Sequence, residues 1–363
     1  MRTAWRVLVI LGLWACGACG AEAESFDVYR GASDASAAVA IDDRHFLVAD
    51  DENNVLRVYR LDEPGLPVLS VDVSAFLGCE EDHPEADIEG ATRVGDRIYW
   101  ITSHGRNKDG KPRPNRYRFF ATDVNVVGDR VEITPAGRPY RNLVLEMVHA
   151  PFLRSLDIER FTRLGALDLS KDERKSLAPK EGGLNIEALA ADPEGKTLWI
   201  GLRNPTYRSA ATGRREAVVI PLLNANEVIE EGRPPRFGTP LRWDLGGLGV
   251  RSMEYCRSRG AYYIVAGPRN GSDALVLYRW SGGLSEAPEP VHVFNEPEDF
   301  TPEALFETPR GLLYVLSDDG TLEIDVDHPR ECMEGELLDN GRCPNKFLTD
   351  PNRKTFRGLH IAP

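Results

Sequence analysis

The chain has 363 residues, of which 42% are hydrophobic, and a formal net charge of −13 at pH 7. An acidic protein repels polyanions, so this balance argues against nucleic acid as a partner and is compatible with cation binding. The 33 glycines and 25 prolines follow no collagen-like period and suit many short strands joined by turns.

The N-terminal residues have the pattern of a secretory signal peptide. A basic start precedes an apolar run over residues 7–15, which is too short to span a bilayer. We therefore predict a leader over residues 1–20 and an exported protein that is periplasmic, secreted or held at the cell surface. Cys16 follows Leu-Trp-Ala, which resembles a bacterial lipobox. Membrane attachment through a lipid on Cys16 and ordinary cleavage near Gly20 both stay open.

Residues 21–363 form one predicted domain that is built from repeats. The first unit covers residues 35–78, and the others begin near Asp87, Asn185, Val250 and Thr301. Each unit holds four short strands with alternating or fully apolar patterns, bounded by Gly, Asp and Pro turns. Four-stranded units spaced by about fifty residues are typical of a β-propeller. We predict an all-β propeller with five blades, or six if one blade lacks the signature.

Two further segments complete this architecture. Propellers often close by pairing a strand from one terminus with the blade formed by the other, so we expect residues 25–31 to join the blade that contains residues 356–362. Between units two and three, residues 150–179 place Leu153 and Leu156 in a pattern with helical spacing and predict a helical insertion. This insertion is either an inert decoration or a lid over the channel mouth.

Four glutamates align when the units are superposed on their second strands. Innermost strands line the central channel of a propeller, so these side chains should converge there, and like charges at close quarters need a compensating cation, arginines or protonation. Ca²⁺ suits ligands that offer oxygen alone. The predicted metal ligands are Glu89, Glu187, Glu254, Glu303 and Asp318. In the alternative interpretation, the glutamates accept backbone N–H bonds from the neighbouring blade and have a structural role.

An Arg-Asn pair follows the second strand in three of the units. Arginine offers planar, bidentate recognition of phosphate or carboxylate, so these pairs are predicted to bind a small anionic substrate. The six residues are Arg106, Asn107, Arg203, Asn204, Arg269 and Asn270. Units one and five carry Asp50-Asp51 and Asp318-Asp319 at this place. Alternatively, each arginine pairs with the glutamate of its own blade.

His104 is the one histidine predicted at the rim, and it is therefore the candidate general base. The loop over residues 106–118 is strongly basic and should overhang the same mouth. It is either a solvated hairpin tip or an anion clamp.

Four cysteines follow the predicted leader. Cys332 and Cys343 flank a turn-rich loop and are predicted to form a local disulfide, as in other exported proteins. Whether Cys79 pairs with Cys256 stays open. No C-x-x-C pair follows the leader, so zinc and redox sites have little support.

Three stretches resemble a family of bacterial exported proteins known only as domain of unknown function 3616. They are D-I-E-G-A-T-R-V-G-D-R-I-Y-W-I-T-S-H-G-R-N from Asp87, R-P-N-R-Y-R, and A-P-K-E-G-G-L-N-I-E-A-L from Ala178. More distantly, the repeated glutamate is similar to that of phytase-like esterase propellers and calcium-dependent lactonase propellers. There a channel-lining glutamate helps to bind Ca²⁺, which implies the same role for the four aligned glutamates.

Two functions are compatible with these patterns. The first is a metal-dependent, hydrolase-like activity on phosphate-ester-type anions at the channel mouth, with the arginines holding the anion and His104 or a metal-bound water as base. The second is a non-catalytic propeller whose mouth captures a ligand or a cell-surface partner.

Overall fold

The computed structural model describes residues 26–166, 168–269, 274–294 and 299–362. These residues form five four-stranded antiparallel sheets and one two-stranded sheet. The innermost strands of consecutive four-stranded sheets contact one another, and the last contacts the first, so the sheets close into a five-bladed β-propeller. The predicted fold class and the lower of the two predicted blade numbers are confirmed. The predicted leader lies outside the described residues.

The strands follow the chain from the first described segment, β1 (Asp27–Arg30). Blade 1 consists of β2 (Ala35–Ala40), β3 (His45–Asp50), β4 (Val55–Arg60) and β5 (Leu69–Asp72). Blade 2 consists of β6 (Ile88–Val94), β7 (Arg97–Thr102), β8 (Phe119–Val127) and β9 (Arg130–Tyr140). Blade 3 consists of β10 (Asn185–Ala191), β11 (Leu198–Arg208), β12 (Arg215–Leu222) and β13 (Leu241–Trp243).

Blade 4 consists of β14 (Gly249–Cys256), β15 (Ala261–Gly267), β16 (Leu275–Trp280) and β17 (Glu289–Phe294). Blade 5 begins with β18 (Pro302–Glu307) and β19 (Leu313–Ser317). The chain then forms a separate pair, β20 (Glu323–Asp325) and β21 (Arg342–Pro344), before β22 (Thr355–Ile361) returns to blade 5. In each of the first four blades the first strand is the innermost one.

Burial accounts for the two kinds of strand pattern. The inner strand β10 is buried along its whole length and is almost continuously apolar, whereas the third strand β4 alternates buried and half-buried positions. The core lies between neighbouring blades. Trp100 and Phe120 of blade 2, for example, pack in one cluster with Leu47 of blade 1. The aligned apolar faces of adjacent sheets thus hold the ring together.

The fifth blade joins the two ends of the chain. β1 pairs antiparallel with β22, so that Tyr29 lies opposite Phe356. The Tyr29 ring is fully buried and stacks on Phe356 with 5.1 Å between the ring centroids, while an edge contact brings in Phe46 of blade 1. The predicted closure by residues 25–31 is confirmed for the strand that the structure describes.

Short helices decorate the propeller. The α-helices are α1 (Ser74–Leu77), α2 (Leu143–His149), α3 (Ile158–Thr162), α4 (Lys171–Ser176) and α5 (Ala225–Glu231). The 3-10 helices are Pro114–Arg116, Pro151–Leu156, Pro329–Glu331, Asn345–Phe347 and Pro351–Arg353. Among the described helices, none is long and apolar enough to cross a membrane.

The predicted helical insertion lies between blades 2 and 3. It consists of α2, the 3-10 helix Pro151–Leu156, α3 and α4, so it begins before residue 150 and is broken into short pieces. Leu153 and Leu156 are buried against the blades, as their spacing predicts. A capping box between Ser170 and Glu173 starts α4.

The cysteines separate into one bonded pair and two thiols. Cys332 and Cys343 form the predicted disulfide. Cys79 and Cys256 are both free, so the open question of their pairing is answered in the negative.

Candidate functional site

A bulge in the innermost strand occurs at the same place in every blade and sets a common register. The pairing with the second strand skips one residue between Ala35 and Ala37 in blade 1, and it does so at the corresponding place in the other blades. We call the skipped residues the channel ring. They are Ser36, Glu89, Glu187, Arg251 and Glu303.

The channel ring corrects one of the predicted metal ligands. Arg251 occupies the position of blade 4, whereas Glu254 lies three residues further along β14, opposite Tyr263. Matching the letters of the repeat had aligned Glu254 with the other glutamates, but the strand pairing places Arg251, three residues earlier, at the bulge of blade 4. Burial, followed by the nearby Glu307, raises the pKa of Glu254 to about 8. Glu254 is therefore a half-buried acid beside Glu307 that does not line the cavity.

The same register defines two further rings. The outer ring contains the residues two positions before the channel ring: Asp34, Asp87, Asn185, Gly249 and Thr301. The rim ring lies on the second strands. In each blade, the innermost-strand residue just before the bulge pairs with a residue of the second strand, and the rim-ring residue directly follows that partner. The rim ring consists of Asp51, Ser103, Arg203, Gly267 and Asp318. Of the three predicted arginines, Arg203 alone holds a rim-ring position. Arg106 lies three residues beyond Ser103, and Arg269 lies two beyond Gly267.

Arg203 contacts the glutamate of its own blade, as the alternative interpretation expects. Its Nη1 donates to Glu187 Oε1 at 2.6 Å, and its Nε and Nη2 donate to the carbonyl oxygens of Pro268 and Arg269 in the next blade. This side chain therefore joins blades 3 and 4 at the mouth of the channel.

Arg106 and Asn204 hold the helical insertion. Arg106 is buried, and its guanidinium donates to the carbonyl oxygens of Thr162, Arg163 and Gly110. The Asn204 amide donates to the carbonyl oxygens of Pro179 and Gly183. Their hydrogen-bonding groups are used within the protein, which corrects the prediction that both bind substrate.

The remaining predicted anion-binding residues have different surroundings. Asn107 borders the central cavity, but its Oδ1 accepts from the backbone N–H groups of Asp109 and Lys111. The Arg269 side chain is exposed and does not line that cavity. Asn270 lies outside the described residues.

His104 is buried away from the cavity, so its predicted place as a base on the rim is wrong. It is 1% exposed, with Nδ1 2.8 Å from the carbonyl oxygen of Thr102, and its ring packs edge-on against Tyr117. Burial lowers its pKa to about 4, so the imidazole is neutral at physiological pH. The residue adopts a left-handed backbone conformation (φ 52°), and this turn points the ring inward.

A cavity of about 920 Å³ lies at the channel mouth. Acidic residues from blades 1, 2, 3 and 5 line its inner part: Asp34, Asp51, Glu52, Asp87, Glu89, Glu187, Glu303 and Asp318. Basic residues surround them: Lys108, Arg113, Arg116, Lys175, Lys180 and Lys346. The insertion contributes Lys175 and residues 178–181 to this lining, so it borders the mouth, as a lid would.

Some of these carboxylates have counter-ions in the protein. Glu187 contacts Arg203 and lies 3.5 Å from Arg251 Nε, and Arg251 also pairs with Glu303. Arg116 Nη1 lies 2.8 Å from Asp87 Oδ2. Glu187, Glu303 and Asp87 therefore have counter-ions among the described side chains.

Asp51 and Glu89 have no such partner. Among the described residues, no Lys, Arg or His nitrogen lies within 4.0 Å of either carboxylate, and neither side chain takes part in a hydrogen bond. Glu89 is only 7% exposed. Burial first, then neighbouring acids, raises the pKa of both groups well above the usual range. The channel mouth therefore holds two acids whose charges are uncompensated.

The two acids lie in one group with Asp87. One carboxylate oxygen from each of Asp51, Asp87 and Glu89 lies within 4.8 Å of the others, and we call these residues the carboxylate triad. Oδ1 of Asp51 is buried without a hydrogen-bond partner. Six to eight oxygens at about 2.3–2.6 Å surround a bound Ca²⁺, so three carboxylate oxygens would need roughly three to five water molecules to complete the shell of this ion.

A known family of protein sequences matches the blades that hold the carboxylate triad. The sequence profile of "Protein of unknown function (DUF3616)" matches residues 34–121 and 168–311, which include the triad. The chain belongs to this DUF3616 family. No curated protein sequence matches it.

Solved structures similar to this DUF3616 protein are distant propellers. A putative oxidoreductase (glucose dehydrogenase) from Thermus thermophilus is 13% identical, with 93% of this chain and 100% of that chain covered and a TM-score of 0.41. The PQQ-bound aldose sugar dehydrogenase from Streptomyces coelicolor is 11% identical, with 94% and 100% covered and a TM-score of 0.40. Similarities at this level carry no argument about the activity of the DUF3616 chain.

Sequence reasoning had missed two members of this DUF3616 site. Asp34 precedes the first recognised strand, and Arg251 was displaced by the alignment on Glu254. Neither was visible in the letters of the repeat, because the strand pairing at the bulge fixes which residue faces the channel.

Proposed function

We propose that the channel mouth binds one divalent cation, Ca²⁺ in an exported protein, at the carboxylate triad and uses it to hydrolyse a small phosphate-ester-type anion. The observation that carries this proposal is a pair of acids, half-buried Asp51 and buried Glu89, that lack a counter-ion in a large cavity. Burying an ionised carboxylate without a partner is costly, so in the absence of a cation these groups hold protons.

The basic residues around the triad support an anionic ligand. Lys108, Arg113, Lys175 and Lys180 line the same cavity, and among the described residues none of their side chains pairs with a carboxylate. Cationic side chains at a concave site attract anions and raise their local concentration. A ligand held by this rim would have its charged end above the triad.

The chemistry can then be assigned to side chains of the cavity. A divalent cation would polarise the phosphoryl group and acidify the attacking water. Because His104 is buried elsewhere, the base has to be a carboxylate, and Asp318 is half-buried, lines the cavity and lies outside the triad. In this proposal Asp318 accepts the proton of the attacking water and returns it to the departing alkoxide.

A non-catalytic binding propeller is the second candidate function. The observation that favours it is the position of His104, because the cavity contains no imidazole among its described lining residues. In that case the same cation and rim would capture an anionic ligand or a group on a cell-surface partner without turnover.

The first test is the effect of Ca²⁺ on thermal stability. Ligand at 100 times its dissociation constant stabilises a protein by about 2.7 kcal/mol, so Ca²⁺ should raise the melting temperature of the wild type. The double variant Asp51→Asn, Glu89→Gln should lose this rise. Glu254→Gln is the matched control, because it removes a half-buried acid outside the site. An equal rise in the double variant would contradict the cation site.

The second test separates catalysis from binding. Purified protein is assayed against phosphoesters with and without EDTA, and turnover that requires Ca²⁺ and falls at least ten-fold in Asp318→Asn supports the hydrolase. Ca²⁺-dependent binding of the same anions without turnover would favour the binding propeller.

A further inference from the structure

Blade 4 differs from the other blades at the three rings. Blade 4 carries Gly249 in the outer ring and Gly267 in the rim ring. At the same rim position, blades 1, 3 and 5 carry the charged residues Asp51, Arg203 and Asp318. Its one ring side chain, Arg251, is already paired with Glu303. The blade-4 side of the cavity therefore has no free charged side chain among its described ring residues.

The glycine at the rim position of blade 4 is required by its neighbours. A Cβ on Gly267 would lie 2.5 Å from Arg251 Cδ and 2.8 Å from Leu275 Cδ2, both closer than real contacts allow. The Leu275 side chain and the methylenes of Arg251 thus occupy the place of a polar side chain. At this point the wall of the cavity is hydrocarbon.

Other apolar residues extend this wall. Pro268, Ala274, Phe294 and Phe300 line the same cavity as Leu275, and Leu275 is paired directly with Phe294 across the sheet. We call these five residues the apolar wall. A cavity of about 920 Å³ is far larger than an inorganic phosphate needs and falls in the range that suits an organic ligand.

The order of the blades places the apolar wall across the channel from the carboxylate triad. The triad comes from blades 1 and 2, which are neighbours. Blades 3 and 5 flank blade 4, so in a ring of five it faces the junction between blades 1 and 2. A ligand that crosses the channel meets charge at one end and hydrocarbon at the other.

We propose that the ligand is an amphiphilic anion, with a phosphoryl or similar oxyanion at the carboxylate triad and an aryl or branched alkyl group against the apolar wall. This inference rests on the proposed cation site and adds the substrate class. Highly charged, wholly polar anions are disfavoured, because they would leave the accessible part of this wall, Ala274 and Leu275, in contact with water.

The test uses two phosphonates that resist hydrolysis and differ in the organic group. Binding of phenylphosphonate and methylphosphonate to the full chain is measured by calorimetry in saturating Ca²⁺. Phenylphosphonate should bind about ten-fold more tightly or better, because its ring removes apolar area from water. Leu275→Asn should reduce this preference by weakening the binding of phenylphosphonate more than that of methylphosphonate, and Ca²⁺ should still bind because Leu275 lies outside the triad. Leu312→Asn, at an exposed leucine outside the cavity, is the control.

The outcomes distinguish the two proposals. If Ca²⁺ binds and the wild type does not prefer phenylphosphonate, the substrate class is overturned while the cation site stands. If Ca²⁺ does not bind at all, the proposed function fails and this inference fails with it. The wild-type comparison decides the matter even if Leu275→Asn does not fold.

Discussion

Burial separates the His104 imidazole from water and keeps it neutral. Its pKa falls to about 4 because desolvation outweighs the hydrogen bond to the Thr102 carbonyl oxygen. A similar desolvation acts in the opposite direction on the carboxylates, since burial raises the pKa of Asp51 and Glu89. Desolvation thus favours the neutral form of these three side chains, because no ion of opposite charge lies beside them.

The pKa of His104 predicts how stability changes with pH. Because the folded pKa of about 4 lies below the ordinary value of 6.5, the unfolded chain binds a proton first as pH falls. The stability contributed by neutral His104 is complete above pH 6.5 and is lost progressively towards pH 4. In urea unfolding, His104→Gln should therefore lose less stability than the wild type over this range, whereas His360→Gln, at an exposed histidine, should follow the wild type. Parallel losses in all three proteins would contradict the prediction.

The sequence repeat predicted the position of a channel residue correctly in the blades where the repeated glutamate coincides with the bulge of the innermost strand. Glu89, Glu187 and Glu303 do lie on the innermost strands and line the channel. Glu254 lies on the innermost strand of blade 4 but does not line the cavity, and Arg269 lies two residues beyond the rim position. The bulge fixes the channel position by strand pairing, which the letters of a repeat do not reveal. Counter-ions such as Arg251 could not be assigned for the same reason.

At the level of elements, the helical insertion is fastened to the propeller at several points. Arg106 binds the carbonyl oxygens of Thr162 and Arg163 at the end of α3, and Asn204 binds the turn after α4. Lys175 Nζ also donates to the carbonyl oxygen of Lys108 in the basic loop. The insertion was predictable from apolar spacing, but these polar attachments were not, because they join side chains to distant backbone carbonyls.

Removing the Arg106 guanidinium should loosen the insertion while the blades stay folded. Arg106→Leu leaves the carbonyl oxygens of Thr162, Arg163 and Gly110 without this donor. Each buried acceptor that stays unsatisfied lowers the free energy of unfolding by about 1–3 kcal/mol. Amide hydrogen exchange should become faster across α3 and α4 and stay unchanged in β6 and β10. Arg154→Leu alters an exposed arginine of the same insertion and should have no such effect. Uniformly faster exchange across all blades would show that Arg106 acts on the whole fold instead.

At the scale of the whole molecule, the ring is held closed by a strand from each end of the chain. β1 supplies the outermost strand of blade 5, and Tyr29 buries its ring between blades 5 and 1. The repeat, the number of blades and this closure were all predictable from sequence, because they depend on periodic apolar patterns that many residues share.

Truncating Tyr29 should therefore destabilise the entire propeller. Tyr29→Ala removes a fully buried aromatic ring, and core truncations of this size cost about 3–5 kcal/mol. Urea unfolding should shift to a lower midpoint. Val28→Ala changes a neighbouring residue of the same strand that is 47% exposed, and it should leave the midpoint nearly unchanged. A small effect of both substitutions would contradict the role of Tyr29 in closure.

The depth of the carboxylate triad beneath the basic rim has a kinetic consequence. Asp87 and Glu89 are each 7% exposed, whereas Lys108 and Lys175 lie in the open part of the same cavity. If the proposed cation binds at the triad, it would have to enter before an anion covers it, and it would leave only after that anion has gone. Binding would follow a compulsory order, and the residence time of the cation would lengthen as the anion concentration rises.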